Sequence, residues 1–269
     1  MTAVGSSARL TAHRAAHSDK MRAMARAGLA GRGTLYVLLG VLALGLALSG
    51  RKKETDQRGA FEQLAANPAG WALVLAIAIA LAAYAIWRLA DAVIGDDDAK
   101  TRVASVGRGI IYGALSVSAF GVLVSGNSSS QRRQQQEWTA TLMKQTGGRW
   151  LVGLVGVVVL VVGVVLVVRG AKTKFDEDFP LGSMSRRARK VTRTTGLVGT
   201  IARGIVVGMV GVLFLIAAVQ FDPQKARGVD GALRQIRDAP VGPYLLALVA
   251  IGLVMFGLFG FCEARWRKL

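Results

Sequence analysis

One cysteine, Cys262, is all that this 269-residue chain contains, which excludes an intrachain disulfide and any cysteine metal cluster. Histidine is nearly as scarce. His13 and His17 stand four apart near the amino end, and none follows. Only Asp19 lies close enough in sequence to join them as a metal ligand, so no metal site is expected. No apolar span carries a paired carboxylate, no activated-serine constellation appears, and no Gly-Lys-Ser/Thr phosphate loop is present. The chain therefore offers no catalytic residue, no cofactor motif and no sign of an enzyme. Carboxylates are outnumbered too, with 16 Asp+Glu against 34 Lys+Arg and a formal net charge of +18.

What the chain has in quantity is oil. It is 52% hydrophobic, its mean hydropathy is positive, and its apolar residues arrive in blocks. Charge-free runs cover 33–50, 63–87, 109–131, 150–168, 204–221 and 239–262. A hydrocarbon layer of about 30 Å needs about 20 helical residues, so all six are candidate spans, the two 18-residue runs with the least margin. About thirty polar and basic residues precede the first run, which is expected to stay as an anchor rather than be cleaved as a signal. With the amino terminus inside, inner segments carry 22 Lys/Arg and outer loops 12. This positive-inside bias places both termini in the cytoplasm, with the plasma membrane as the expected location. It also explains the positive charge without nucleic acid.

The apolar runs repeat in pairs. Ala30-Gly31-Arg32-Gly33, Val106-Gly107-Arg108-Gly109 and Ile201-Ala202-Arg203-Gly204 open the odd spans. Aligning the three arginines gives three hairpins of about 70 residues, each crossing twice and hence sharing one orientation. The expected fold is an all-α integral membrane protein of six helices in three parallel hairpin repeats, which can close around a pseudo-threefold axis. Residues 1–28 form a mobile basic tail, 29–95 the first hairpin, 96–172 the second, 173–200 a basic cytoplasmic linker and 201–269 the third. Within the linker, Ser185 is a candidate N-cap for a basic helix lying on anionic headgroups. Short outer helices before Pro68 and Pro240 are expected at 59–70 and 231–242, where glycine, glutamine and proline recur at identical spacing. Asp96-Asp97-Asp98 lack the alternating ligands of a calcium loop and read as solvated charge. Gly109-xxx-Gly113 and Gly204-xxx-Gly208 read as helix-packing motifs, although the first repeat has Val37 at the second position.

The charges at the span ends give the candidate site. Arg32, Arg108 and Arg203 open the odd spans, and Asp91, Arg169 and Glu263 close the even ones at matching positions. Pairing within hairpins is expected, Arg32 with Asp91 and Arg203 with Glu263, because either charge alone is costly to desolvate. The middle hairpin offers Arg108 and Arg169 and so holds a positive excess. Asp96–Asp98, a lipid phosphate, a soluble anion or a partner would have to answer it. Arg32, Arg108, Arg169 and Arg203 are accordingly the candidate anion- or lipid-binding residues. The competing explanation is snorkelling, in which an arginine one turn inside the boundary extends its head to water.

These Arg-Gly-headed hairpins resemble a known family. So do the approach from Met184-Ser185-Arg186-Arg187 to Ala202-Arg203-Gly204 and the ending Cys262-Glu263-Ala264-Arg265. It is domain of unknown function 1206, a membrane-protein family found mainly in actinobacteria with the domain in three copies. The resemblance implies a six-helix plasma-membrane protein over roughly residues 20–269 and supplies no activity. The second copy departs from the pattern at Thr146 and Arg169. Two functions are weighed on the residues. The first is a non-enzymatic binding or accessory protein, holding anionic lipid or another anion at its cytoplasmic face or engaging a membrane-protein partner. The second is a small channel or transporter with a path between the hairpins, for which Ser116 and Ser118 are the main polar groups at mid-depth.

Overall fold

A computed structural model describes residues 19–49, 61, 65–66, 68–94, 99–125, 148–180, 182–220, 222, 225 and 229–267. The described residues are all-helical. They form α1 (Asp19–Ser49), α2 (Pro68–Ile94), α3 (Ala99–Ser125), α4 (Gly148–Ala171), α5 (Arg186–Gln220), α6 (Val229–Arg237) and α7 (Gly242–Trp266). A 3₁₀ turn at Lys174–Asp178 leads from α4 towards α5. All but α6 are long and apolar enough to cross a membrane, giving a multi-pass architecture of six spans.

The helices are longer than the charge-free runs because an aqueous helix end tolerates charge. At 1.5 Å per residue the 31 residues of α1 reach well beyond a hydrocarbon layer of about 30 Å. Residues 19–28, expected as part of a mobile tail, are instead its first turns. Ala25 is fully buried, and a side chain at Gly28 would collide with Tyr84. Residues 1–18, with His13 and His17, lie outside the described residues, as do Asp96–Asp98.

The linker expectation changes similarly. Ser185 does cap the helix, its hydroxyl accepting from the Ala188 amide at 3.2 Å. That helix then runs unbroken through the basic stretch to Gln220 as 35 residues. No separate helix lies along the headgroups. The reason is a packed face: Thr192, Thr195, Gly196 and Gly199 are buried, the two glycines against Phe175, Phe256 and Phe259. The outer helix expected before Pro240 is α6, whose buried Leu233 and Ile236 join an apolar cluster with Leu46 of α1, Val206 of α5 and Leu246 and Leu253 of α7. Its first-repeat counterpart shows a fully buried Phe61, but most of 59–67 lies outside the described residues.

The hairpins are joined mainly to one another. The most extensive packings are α4 with α5, α7 with α1, and α2 with α3, each linking the even helix of one repeat to the odd helix of the next. The first of these links the second repeat to the third, the second the third back to the first, and the last the first to the second, so the order is cyclic. Within repeats, α1 packs on α2 and α5 on α7 less extensively. Among the described residues, α3 and α4 share no packed face. The six spans thus form a ring in the order α3, α2, α1, α7, α5, α4, open between its two ends.

Small residues set the three tight joints, as expected where lipid tails compete on equal terms with apolar side chains. A Cβ at Gly33 would sit 2.8 Å from the Gly257 carbonyl oxygen, and one at Gly204 2.9 Å from that of Gly163. Gly109 stands against Leu89 and the Ala85 carbonyl. The glycine after each arginine therefore meets the same position of the preceding even helix. This fixes the threefold register: Ala85, Gly163 and Gly257 correspond, and six residues on so do Asp91, Arg169 and Glu263. Gly208, the second glycine of its motif, lies against Gly163 as well. In the first repeat the small residues move to the partner helix, where Gly257 accommodates Val37.

Candidate functional site: the arginine end of the ring

The register brings the charged span ends together at one end of the bundle. Arg32 is 6% exposed, so snorkelling is not its solution. Its Nη2 donates to the Glu263 carboxylate, and its guanidinium lies 5.4 Å from the centre of the Phe256 ring. Tyr84 and Tyr112 also face it. Arg267 donates from Nη1 to the other Glu263 oxygen at 2.9 Å and reaches Asp178 at 3.4 Å. One buried carboxylate thus serves two guanidiniums.

Both expected pairings are corrected. Arg32 takes Glu263, and Asp91 goes to Arg88 on its own helix, Nη1 to Oδ2 at 3.3 Å. Arg88 is buried, donates from Nε to the Tyr84 hydroxyl at 3.2 Å, and stacks 4.3 Å from the Trp87 ring centre. The Ser105 hydroxyl also donates to Asp91, at 3.5 Å. The cause is the packing scheme. Arg32 opens a helix that packs on the even helix of the preceding repeat, so its partner comes from there and not from its own hairpin.

This relocates the positive excess. Arg32 meets Glu263, and Arg108 lies beside Arg88 and Tyr84 of the helix of Asp91, while Arg203, although Gly204 beside it packs on α4, turns its guanidinium to Tyr36 of α1 and Phe256 of α7. Arg203 lies 4.9 Å from the centre of Phe256 and 5.5 Å from that of Tyr36, and its Nε is buried with no hydrogen-bond partner. Among the described residues no carboxylate pairs with it. Ring faces can stabilise a desolvated cation by about 2 kcal/mol, well below the cost of burying an ion without a counter-charge. Arg108 is half-buried, with Arg88, Arg267 and Arg169 as like-charged neighbours and Tyr84 beside it. Arg169 is exposed in the last turn of α4. The sequence-expected arginines are thus gathered at one end, with Arg32 neutralised and Arg108, Arg169 and Arg203 not.

Two parts of the site escaped the charge pattern. Arg88 competes for Asp91, although the sequence places it only as a span boundary. The aromatic floor of Tyr36, Tyr84, Tyr112 and Phe256 is the other, with Tyr36–Phe256 and Tyr84–Tyr112 meeting edge-on at 4.7 and 4.8 Å. A signal for it exists in the chain: Arg32/Tyr36 and Arg108/Tyr112 share a four-residue spacing, broken at Val207 in the third repeat. Among the described residues no three His, Cys, Asp or Glu side chains gather as metal ligands.

Comparison with known proteins agrees with the threefold register. The family model DUF1206, "Domain of Unknown Function", matches three tandem stretches, 27–95, 103–173 and 198–267. The chain is 28% identical over 252 residues to "Uncharacterized protein YxxB" of Bacillus subtilis (strain 168), covering 91% of this chain and 90% of that protein. No solved structure matches. A relative in a Bacillus means that membership does not carry the actinobacterial origin suggested above. With three repeats matched in order along most of its length, the chain belongs to the DUF1206 family.

Proposed function

We propose that this is a non-enzymatic plasma-membrane protein that binds an anionic group at its cytoplasmic end, with both termini on that side. One observation carries the reading: Arg203 is held over the Tyr36 and Phe256 rings with a buried, unpartnered Nε and, among the described residues, in no ion pair. An incoming phosphate or carboxylate supplies the missing counter-charge in a low dielectric, where the attraction is strongest. The tyrosine hydroxyls nearby can donate as well. The charge excess on the inner segments suits an anionic partner and needs no nucleic acid.

The channel reading loses one of its two main polar groups at mid-depth, since Ser116 is buried and donates to the Ala78 carbonyl at 2.9 Å. It serves as a bond between α2 and α3.

Titration of the purified protein with inorganic phosphate and with short-chain phosphatidylglycerol, followed by isothermal calorimetry, tests the proposal. Arg203→Gln should weaken binding by about tenfold or more, the worth of a charge-assisted hydrogen bond. Equal binding by wild type and Arg203→Gln would remove the reading.

A further inference from the structure

The register exposes an asymmetry that the Arg203 reading does not use. Residues eight before and one before the joint positions are Ile77 and Tyr84 in α2, and Val249 and Phe256 in α7. They are 3%, 1%, 8% and 3% exposed, because the odd helix of the same repeat covers them. Their counterparts in α4 are Val155 and Val162, at 40% and 46%. The helix that ought to cover them is α3, and it does not pack on α4. The inward face of α4 is therefore core-like in sequence and bare in structure. It borders the one opening of the ring.

At the arginine end of this opening stand Arg108 on α3 and Arg169 on α4, close enough to repel each other. Arg108 stands between the two sides, with Arg88 and Tyr84 of α2 on one hand and Arg169 on the other, and below it α3 carries Ile111 and Ser118 at helical spacing. We propose that the slot between α3 and α4 holds one anionic phospholipid. Its acyl chains cover the inward face of α4, and its phosphate is bridged by Arg108 and Arg169.

The rival occupants fit less well. Closing α3 directly onto α4 would cover the apolar face but press two guanidiniums together. A free anion would satisfy the guanidiniums and leave Val155 and Val162 bare. A partner helix would have to bring its own carboxylate to the same depth. A phospholipid presents a phosphate and a hydrocarbon chain in the required order, and the surrounding bilayer supplies it at high concentration. The site is independent of Arg203, so either proposal can fail without the other.

The full-length chain, reconstituted from vesicles of phosphatidylcholine with or without phosphatidylglycerol and extracted in mild detergent, is examined by native mass spectrometry. Wild type is expected to retain one phosphatidylglycerol. Val162→Trp, which fills the slot, and the double variant Arg108→Gln/Arg169→Gln should each reduce retention about tenfold or more, the effect of losing charge-assisted contacts or the space itself. Ile110→Trp, on the outward face of α3, should leave it unchanged. If Val162→Trp fails to fold, the double variant decides alone. Equal retention of phosphatidylcholine, undiminished retention by the variants, or binding of inorganic phosphate with no lipid would each overturn the proposal. Loss of lipid in Arg203→Gln alone would overturn the slot while keeping an anion at Arg203.

Discussion

Glu263 is the carboxylate on which two guanidiniums converge, Arg32 from the first repeat and Arg267 from its own helix. Removing its charge leaves Arg32 buried with no counter-ion. Breaking a buried pair from one side costs about 3–5 kcal/mol, so Glu263→Gln should lower the thermal midpoint of the purified protein sharply. Arg203 predicts the opposite sign. Its cation is in no ion pair among the described residues, and Arg203→Met keeps the stem that packs among Tyr36 and Phe256 while deleting the charge. In ligand-free detergent Arg203→Met should be at least as stable as wild type, within about 1 kcal/mol or above it, and a large loss of midpoint would show that Arg203 has a structural partner. The identity of these residues was legible in the chain, since charge at the end of an apolar run marks itself. Their partners were not. Which carboxylate meets Arg32 depends on which helices touch, and Asp91 and Glu263 are equivalent by sequence position alone.

Glycine decides that choice one level up. Gly109-xxx-Gly113 and Gly204-xxx-Gly208 announce close packing without naming the partner helix. The structure places Gly204 and Gly208 on Gly163 of α4, and Gly156 and Gly211 meet one turn and more away along the same seam. Arg149 secures its outer end by donating to the Ala218 and Val219 carbonyls at 2.8 and 3.2 Å. A Cβ at Gly163 would lie 2.4 Å from the Gly208 amide nitrogen, a backbone atom that cannot move aside. Gly163→Val should therefore force α4 from α5 and cost more than about 3 kcal/mol, seen as a collapsed midpoint or loss of monodisperse protein. Gly107 has open space around its Cβ position, so Gly107→Ala should be neutral or stabilise by up to about 1 kcal/mol through helix propensity. A comparable loss in both would mean that helical glycines here matter for flexibility rather than for approach. The basic stretch 186–190 teaches the same lesson from the other side. Its charge suggested a helix apart from the span, and only the packing of Gly196 and Gly199 on phenylalanines shows why it continues into the membrane.

At the scale of the molecule, the ring is two rows meeting at one seam. One row is α3, α2 and α1, the other α4, α5 and α7, and they join mainly where α1 packs on α7 through Gly33, Gly257 and the Arg32–Glu263 pair. Three repeats in sequence suggest three interchangeable hairpins, yet the middle one is divided between the rows because, among the described residues, its two helices share no packed face. The chain between them, from Asn127 to Gln136, is rich in Ser, Gln and Arg. A cut at Asn127–Ser128 should consequently leave two halves that still recognise each other. Each half carries its own orientation signal under the proposed topology: the amino half ends span two at Arg88, and the carboxyl half follows α4 with Arg169, Lys172 and Lys174. Co-expressed with a tag on one half only, the halves should co-purify in near-equal amounts. The same cut combined with Glu263→Gln should lose the untagged half, because the seam then lacks its buried pair while both rows stay intact. Were α3 and α4 the true joint, the cut halves would stay together and Glu263→Gln would add nothing, which would also close the proposed lipid slot.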